Sequence, residues 1–375
     1  MARCSLRALG RSGNVIDPKL VIDGGKNQKT EPAFGADTLR LWVSTVDYTG
    51  DVRVGNNILK QVSDNYRKIR NTLRYIIGNL HDFSPTTDTV DYADLPELDR
   101  WMLGRLGEVQ AEVKDAFETF QFYRASQAIT AFCITDLSNF YLDVAKDRLY
   151  ISAAGEARRR SCQTVLKVVL ETLLSAIAPI LPHMAEDAWQ NLPWDAPSTS
   201  VFQAGWTDID FAPRRAQEWE AVRAFRDDVN KCMDAARVDK LVGASLDARV
   251  VVHCSDPELK ATLQGLKPDG SMLATSGTSV NGVDDIRFLL LSSEVTFVDS
   301  ADDVAAACDA KHIIQAADTE SGVVVGVAKA DGDKCERCWF YSASVGTHDG
   351  LHNVCPRCAA AVKAGGGLPE PAATA

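Results

Sequence analysis

Residues 161–182 read SCQTVLKVVLETLLSAIAPILP. Val165, Val168, Val169, Leu173, Ile177 and Ile180 fall at helical spacing, so they share one stripe of an amphipathic helix that ends at Pro182. Lys167 and Glu171 break the apolar run, which rules out a transmembrane span. The same pattern recurs upstream. Leu106, Val109, Val113, Phe117 and Phe120 make one stripe, and Leu137, Phe140, Tyr141 and Val144 make another. Ser84-Pro85, Leu95-Pro96 and Leu192-Pro193 punctuate the helical stretches. Several long helices with short connections predict an antiparallel helical bundle over residues 51–195.

Working outward, residues 1–50 are rich in Gly, Asn, Asp and Pro clusters such as GNVIDP and GGKNQKTEP, the chemistry of turns. They predict a loop-rich remnant and no complete domain. Residues 193–213 predict a linker, and Arg214 to Ala236 a further helix. Beyond it the period changes. LDARVVVH (246–253), IRFLLLSSEVTFV (286–298) and GVVVGVAK (322–329) are short and β-branched, and predict strands of a small α/β domain over 214–330. AGGGLPEPAATA, with no periodicity, predicts a disordered tail over 363–375.

Composition bounds the function. The 375 residues are 46% hydrophobic and 24% charged, as in globular proteins, and long enough for two or three domains. The formal net charge of -11 argues against non-specific nucleic-acid binding, though not against a local basic face. Of ten cysteines, four form two CxxC pairs, Cys335/Cys338 and Cys355/Cys358. That clustering fits metal-bound thiolates in a reducing compartment better than a disulfide framework. Cys4, Cys133, Cys162, Cys232, Cys254 and Cys308 are scattered and read as small hydrophobes.

The paired cysteines carry the strongest chemistry. Each CxxC turn supplies one edge of a sulfur tetrahedron, so residues 331–362 predict a ribbon holding one structural Zn2+, closed to water and not catalytic. A β-hairpin between the pairs would fold them together. A redox CxxC is the competing reading. His348 and His352 lie between the pairs and are alternative ligands, but four thiolates already fill the site. Trp339, Phe340 and Tyr341 follow the first pair, where they can pack the ribbon or stack on an unpaired base.

A weaker signal lies at 53–74. Arg53, Lys60, Arg67, Lys68, Arg70 and Arg74 face a single acidic residue, Asp64. Lys60, Arg67, Arg70 and Arg74 share much of one helical face, which can neutralise phosphates or merely be solvated. Arg158-Arg159-Arg160 reads as a short solvated basic spot. No phosphate-cradling P-loop, dinucleotide fingerprint, HExxH, HxGH or serine triad is visible, so no catalytic residue is assigned.

Several stretches together resemble the bacterial-type isoleucyl-tRNA synthetases, class I aminoacyl-tRNA synthetases, downstream of their catalytic core. They are GNVIDPKLVI, the run from FGADTLRLW to NLHDFSP, LDRWMLGRL, FYRASQAITAFCITDLSNFYLDVAKDRLY, RRSCQTVLKVVLETLLSAIAPILPHMAEDAW, VRAFRDDVNKCMDAARVDKLVGASLDARVVVH and KCERCW with CPRC. The resemblance implies a mainly α fold: an anticodon-binding bundle, then a small α/β domain and a four-cysteine zinc ribbon. It implies that Cys335, Cys338, Cys355 and Cys358 hold zinc. It also implies that isoleucine tRNA is the partner, and Arg67, Lys68, Arg70 and Arg74 match the family's basic helix; from their chemistry, Lys60, Arg67, Lys68, Arg70, Arg74 and Trp339 are expected to meet the tRNA. Neither DNA nor a membrane is implied, and the chain is expected to be a monomer. The family's ATP-dependent ligation of isoleucine to tRNA uses an upstream nucleotide-binding domain, and an editing domain lies there too. RALGRSGN stands where the family has a Lys-Met-Ser-Lys-Ser loop, and the first 12 residues look unrelated to the family. This chain alone is therefore expected to bind tRNA and not to charge it, in cytoplasm or in an organelle. A free-standing RNA-binding or synthetase-assembly protein is the alternative. A DNA-repair glycosylase with a similar finger fits less well, since Ala2 stands where such enzymes carry proline.

Overall fold

The computed structural model describes residues 17–265 and 286–365, apart from 28, 30, 51, 213, 214 and 348–350. The expectations for residues 1–12, for His348 and for the tail from 366 onward lie outside the described residues. Among the described residues the fold is mainly α, with one four-stranded sheet and one two-stranded ribbon. Two compact units are present. The first comprises Met1–Asp88, Met102–Asp143 and Gln163–Pro213, and the second Thr89–Trp101, Val144–Cys162 and Arg214–Ala375.

The described part of the first stretch, from residue 17 to 50, holds more helix than its turn chemistry suggests. Helix α1 (Pro18–Asp23) starts where the Asp17 carboxylate accepts the Lys19 N–H at 2.9 Å and Pro18 sets the first φ. Helix α2 (Ala36–Thr45) buries Leu41 and Trp42 and packs on α3 (Asn56–Asn79). Helix α3 buries Leu59, Val62, Ile69, Leu73 and Ile76 on one face, and its opposite face is charged.

Helix α4 (Glu97–Glu118) carries the expected stripe only as far as Phe117. Phe120 turns to a φ of 57° and stands 66% exposed. Helix α5 (Phe122–Ala131) leads into a ten-residue π-helix, Phe132–Tyr141. There the Ser138 hydroxyl donates to the Cys133 carbonyl at 2.7 Å. The buried residues come as Phe132/Cys133, Asp136/Leu137 and Phe140/Tyr141, repeating every four positions. That spacing suits a helix wider than the α form. Helices α6 (Leu142–Tyr150), α7 (Ala157–Ile177), α8 (Pro182–Gln190, with Pro182 at its first position) and the short α9 (Val201–Ala204) complete the helical block. Among the described residues, no helix is long and apolar enough to cross a membrane.

In the second unit, α10 (Ala216–Val238) lies against a sheet ordered β2-β1-β4-β3. Strand β1 (Ala248–His253) is followed by α11 (Pro257–Gly265). The strand expected over 286–298 is two elements, helix α12 (Ile286–Leu290) and strand β2 (Glu294–Phe297). Leu291, at φ 52°, makes the turn between them. The apolar run FLLL at 288–291 shows neither period, and here the tertiary setting decides: Arg226 Nε donates to the Leu289 carbonyl at 2.8 Å. Helix α13 (Ala301–Ala307) covers the sheet, followed by β3 (Ile313–Ile314) and β4 (Val324–Lys329). β1 runs parallel to β2 and antiparallel to β4. Gly326 lets α13 approach, because a Cβ there would meet Val304 Cγ1 at 2.7 Å and Cys308 Sγ at 2.8 Å. The two earlier stretches of this unit are joined to each other by a fully buried fork, Arg148 Nη1 and Nη2 to the Asp99 carboxylate at 2.9 and 2.8 Å. Trp101 also meets Trp219 at a ring separation of 5.5 Å.

Candidate metal centre and nucleic-acid interface

Strands β5 (Asp333–Lys334) and β6 (Tyr341–Ser342) pair antiparallel on either side of the first CxxC turn. The hairpin thus encloses Cys335 and Cys338; it does not lie between the two cysteine pairs as the spacing suggested. Gly332 permits it, with φ at 88° and the backbone of Ser342 where a Cβ would go. The Cys335 N–H donates to the Phe340 carbonyl at 2.9 Å, and the Trp339 N–H to the Cys335 carbonyl at 2.8 Å. The second pair sits at the start of α14 (Pro356–Ala364), with Cys355 as N-cap and Cys358 in its first turn.

The four Sγ atoms lie within 4.8 Å of one another, and all four cysteines are buried. Zinc–thiolate bonds of about 2.3 Å put tetrahedral sulfurs roughly 3.8 Å apart. Cys338 Sγ and Cys355 Sγ stand 3.7 Å apart, and the Cys355 N–H donates to Cys335 Sγ at 3.2 Å. Donor type, spacing and burial all fit a zinc ion and leave no place for water. Donation from Cys338 and Cys358 holds Cys355 well below the usual thiol value. The hydrogen bond to Cys355, with burial, pushes Cys338 up to about 12. Bound zinc would replace those protons. The scattered thiols Cys133 and Cys232 are pushed up to about 12 by burial, as inert core cysteines should be.

The three aromatics after the first pair part ways. Phe340 packs on the sulfur cluster with Ile151, Val345 and Val354, and meets Phe288 edge-on at 5.3 Å. Trp339, at φ 66°, leaves 60% of its surface exposed, with Lys334 Nζ 5.9 Å from its ring. Packing therefore does not account for Trp339.

On α3, in the first unit, Lys60, Arg67, Lys68, Arg70 and Arg74 are all exposed. Arg67 meets Asp64 at 2.7 Å and Arg70 meets Asp187 at 4.0 Å, both in open solvent where such pairs contribute little. Among the described residues Lys60, Lys68 and Arg74 have no ion-pair partner. The α3 cations belong to the first unit and Trp339 to the second.

The arginine triplet is not the solvated spot its sequence suggested. Arg159 is buried and donates to the Leu149 carbonyl at 3.3 Å, and Arg158 stacks over Phe288 at 5.3 Å. A partner so distant in sequence leaves no local signal.

Comparison with known proteins gives this arrangement its class. Residues 99–252 match the anticodon-binding domain of tRNA ligases, and residues 332–361 match a zinc finger found in FPG and IleRS. Residues 99–252 are thus an anticodon-binding domain of the tRNA-ligase type, and residues 332–361 a zinc finger of that kind. The chain's relatives are isoleucine--tRNA ligases. Those of Gloeothece citriformis, Crocosphaera subtropica and Thermosynechococcus vestitus are 52%, 51% and 51% identical over 94%, 93% and 94% of this chain. In each case the chain spans 36% of the relative's length.

Proposed function

We propose that this chain is the tRNA-binding C-terminal part of an isoleucine--tRNA ligase, with isoleucine tRNA as its partner. The observation that carries this reading is the exposed Trp339 beside a buried four-thiol cluster, on a chain that also holds an anticodon-binding domain. Unpaired anticodon bases can be splayed out, stacked on an aromatic ring and read at their edges. Cys335, Cys338, Cys355 and Cys358 hold one structural zinc ion, which fixes the ribbon. Lys60, Arg67, Lys68, Arg70 and Arg74 of α3 supply phosphate affinity and set register. The chain works as a monomer, and ATP and isoleucine belong to the reaction of the longer relatives. Amino-acid activation is not assigned to any residue here.

Fluorescence anisotropy at near-physiological salt tests the reading. Isoleucine tRNA is compared with the same tRNA carrying a swapped anticodon, with and without a strong zinc chelator. Tighter binding to the native anticodon, lost on chelation, is expected. Equal, weak binding to both would leave only phosphate affinity. One zinc per chain is expected by elemental mass spectrometry, falling to none in Cys335→Ser, since folding and metal binding of such ribbons are linked.

A further inference from the structure

Trp339 has a neighbour that neither the sulfur cluster nor the core uses. Lys334 lies in β5 directly opposite Tyr341 of β6. Opposite residues of an antiparallel pair project to the same face, which puts the lysine stem beside the Tyr341 ring. Lys334 Nζ stands 5.9 Å from the centre of that ring and 5.9 Å from the centre of the Trp339 ring. Both distances are near the outer reach of a cation–π contact, about 6 Å. The two rings therefore place the ammonium without consuming its N–H donors. Tyr341 is itself anchored, its N–H donating to Ser293 Oγ at 2.7 Å. Lys334 is exposed, and among the described residues it makes no ion pair. Asp247 attracts it through space, but Asp247 Oδ2 is taken up by the Gly243 and Ala244 N–H groups at 3.0 and 2.8 Å. A solvated ammonium placed beside an exposed indole has the chemistry of a nucleotide site: the ring takes a base and the cation a phosphate.

We propose that Lys334 completes the Trp339 site by binding the phosphodiester next to the base that stacks on Trp339. This role rests on Trp339 stacking an RNA base, as proposed above, and extends the site from a base to a nucleotide. An indole has two faces, and the ammonium lies over one. With 60% of Trp339 exposed, a base has room to stack, and the flexible four-carbon stem lets the ammonium reach past the ring edge to the strand. The contact reads no base. It sets which nucleotide of the strand the ring meets, because phosphate contacts fix register.

The test follows isoleucine tRNA binding to the full-length chain by anisotropy across salt concentrations, with zinc content measured on every variant. In Lys334→Met the slope of log K against log salt should become shallower by about 0.7, the single-strand value for one phosphate. Lys334→Arg should keep the slope of the unsubstituted chain. In a Trp339→Ala background, Lys334→Met should change the slope far less, since the strand is no longer held beside the lysine. An unchanged slope in Lys334→Met, with binding still weakened by Trp339→Ala, overturns the phosphate contact and leaves the stacking reading standing. The same slope change with and without Trp339 overturns it too, because the lysine would then act as loose surface charge. Loss of zinc in Lys334→Met also overturns it, since the lysine would then serve the ribbon. If Trp339→Ala binds as tightly as the unsubstituted chain, or if that chain binds no tRNA, the stacking reading fails and this contact falls with it.

Discussion

Trp339 shows how much a single side chain can say. A tryptophan in a left-handed backbone conformation, largely in water, gains nothing from the core it adjoins. Trp339→Ala should therefore leave melting and zinc content unchanged while weakening tRNA binding by about 1–3 kcal/mol, the worth of one stacked base. Trp339→Phe should recover part of the loss, and anisotropy checks both. Equal affinity in all three chains would mean the ring touches no RNA. The Asp99–Arg148 fork is the opposite case, wholly buried and distant from the ribbon cysteines in sequence. Removing one partner strands the other charge, so Asp99→Ala should cost about 3–5 kcal/mol in urea unfolding. Little change there would mean that water reaches Arg148. The cysteine pairs were fully legible in the sequence because metal ligation needs fixed residue types at fixed spacing. Arg158 was not, because its partner Phe288 is brought close only by the fold.

Among the elements, those with a clean period could be read directly: α3, α7, α10, β1 and β4 lie where their patterns put them. The exceptions have separate causes. The π-helix hid behind a pattern read as α, although FC, DL and FY pairs every four residues are visible in 132–141. The run 286–290, apolar but for Arg287, is too short to carry a period. Helix α2 was overlooked among Gly and Asn turns, though Leu41 and Trp42 share its buried face. Contact between α13 and the sheet depends on a missing Cβ. Gly326→Ala should destabilise by about 1–3 kcal/mol through overpacking against Val304 and Cys308. Adding Val304→Ala should restore part of it, as thermal melts of the single and double variants would show. If the double variant were no more stable than the sum of the two single changes, the clash would lie elsewhere.

For the second unit as a whole, acid sensitivity follows from Asp228. Burial alone would raise its pKa, but donors from Ser321, Lys231 and the Glu320 N–H outweigh it and hold the carboxyl below its ordinary 3.8. A depressed folded pKa means that the charged form is the stabilised one. Its contribution is complete above pH 3.8, fades as pH falls below that value, and is lost once pH passes the folded pKa. Asp228→Asn should be less stable than the unsubstituted chain at neutral pH, with the gap narrowing toward pH 3. A gap that did not change with pH would assign the loss to packing instead of charge.

The second unit is also discontinuous in sequence, and that has a consequence for how it is made. Asp147 reaches a partner 210 positions later, Arg357, near the end of the chain. At about 5–20 residues per second, a ribosome emits that partner some 10–40 s after Asp147 has appeared. Until then Asp147 waits without the ribbon it joins, and Trp101 waits, for a shorter time, for Trp219. A polypeptide cut to residues 214–375 should accordingly give poorly dispersed NMR spectra, and adding residues 89–162 on the same chain should sharpen them. Metal capture by the ribbon would then await Cys358, after the helix and the sheet of this unit have been made, and a ribosome that stalls before that residue would leave the unit open.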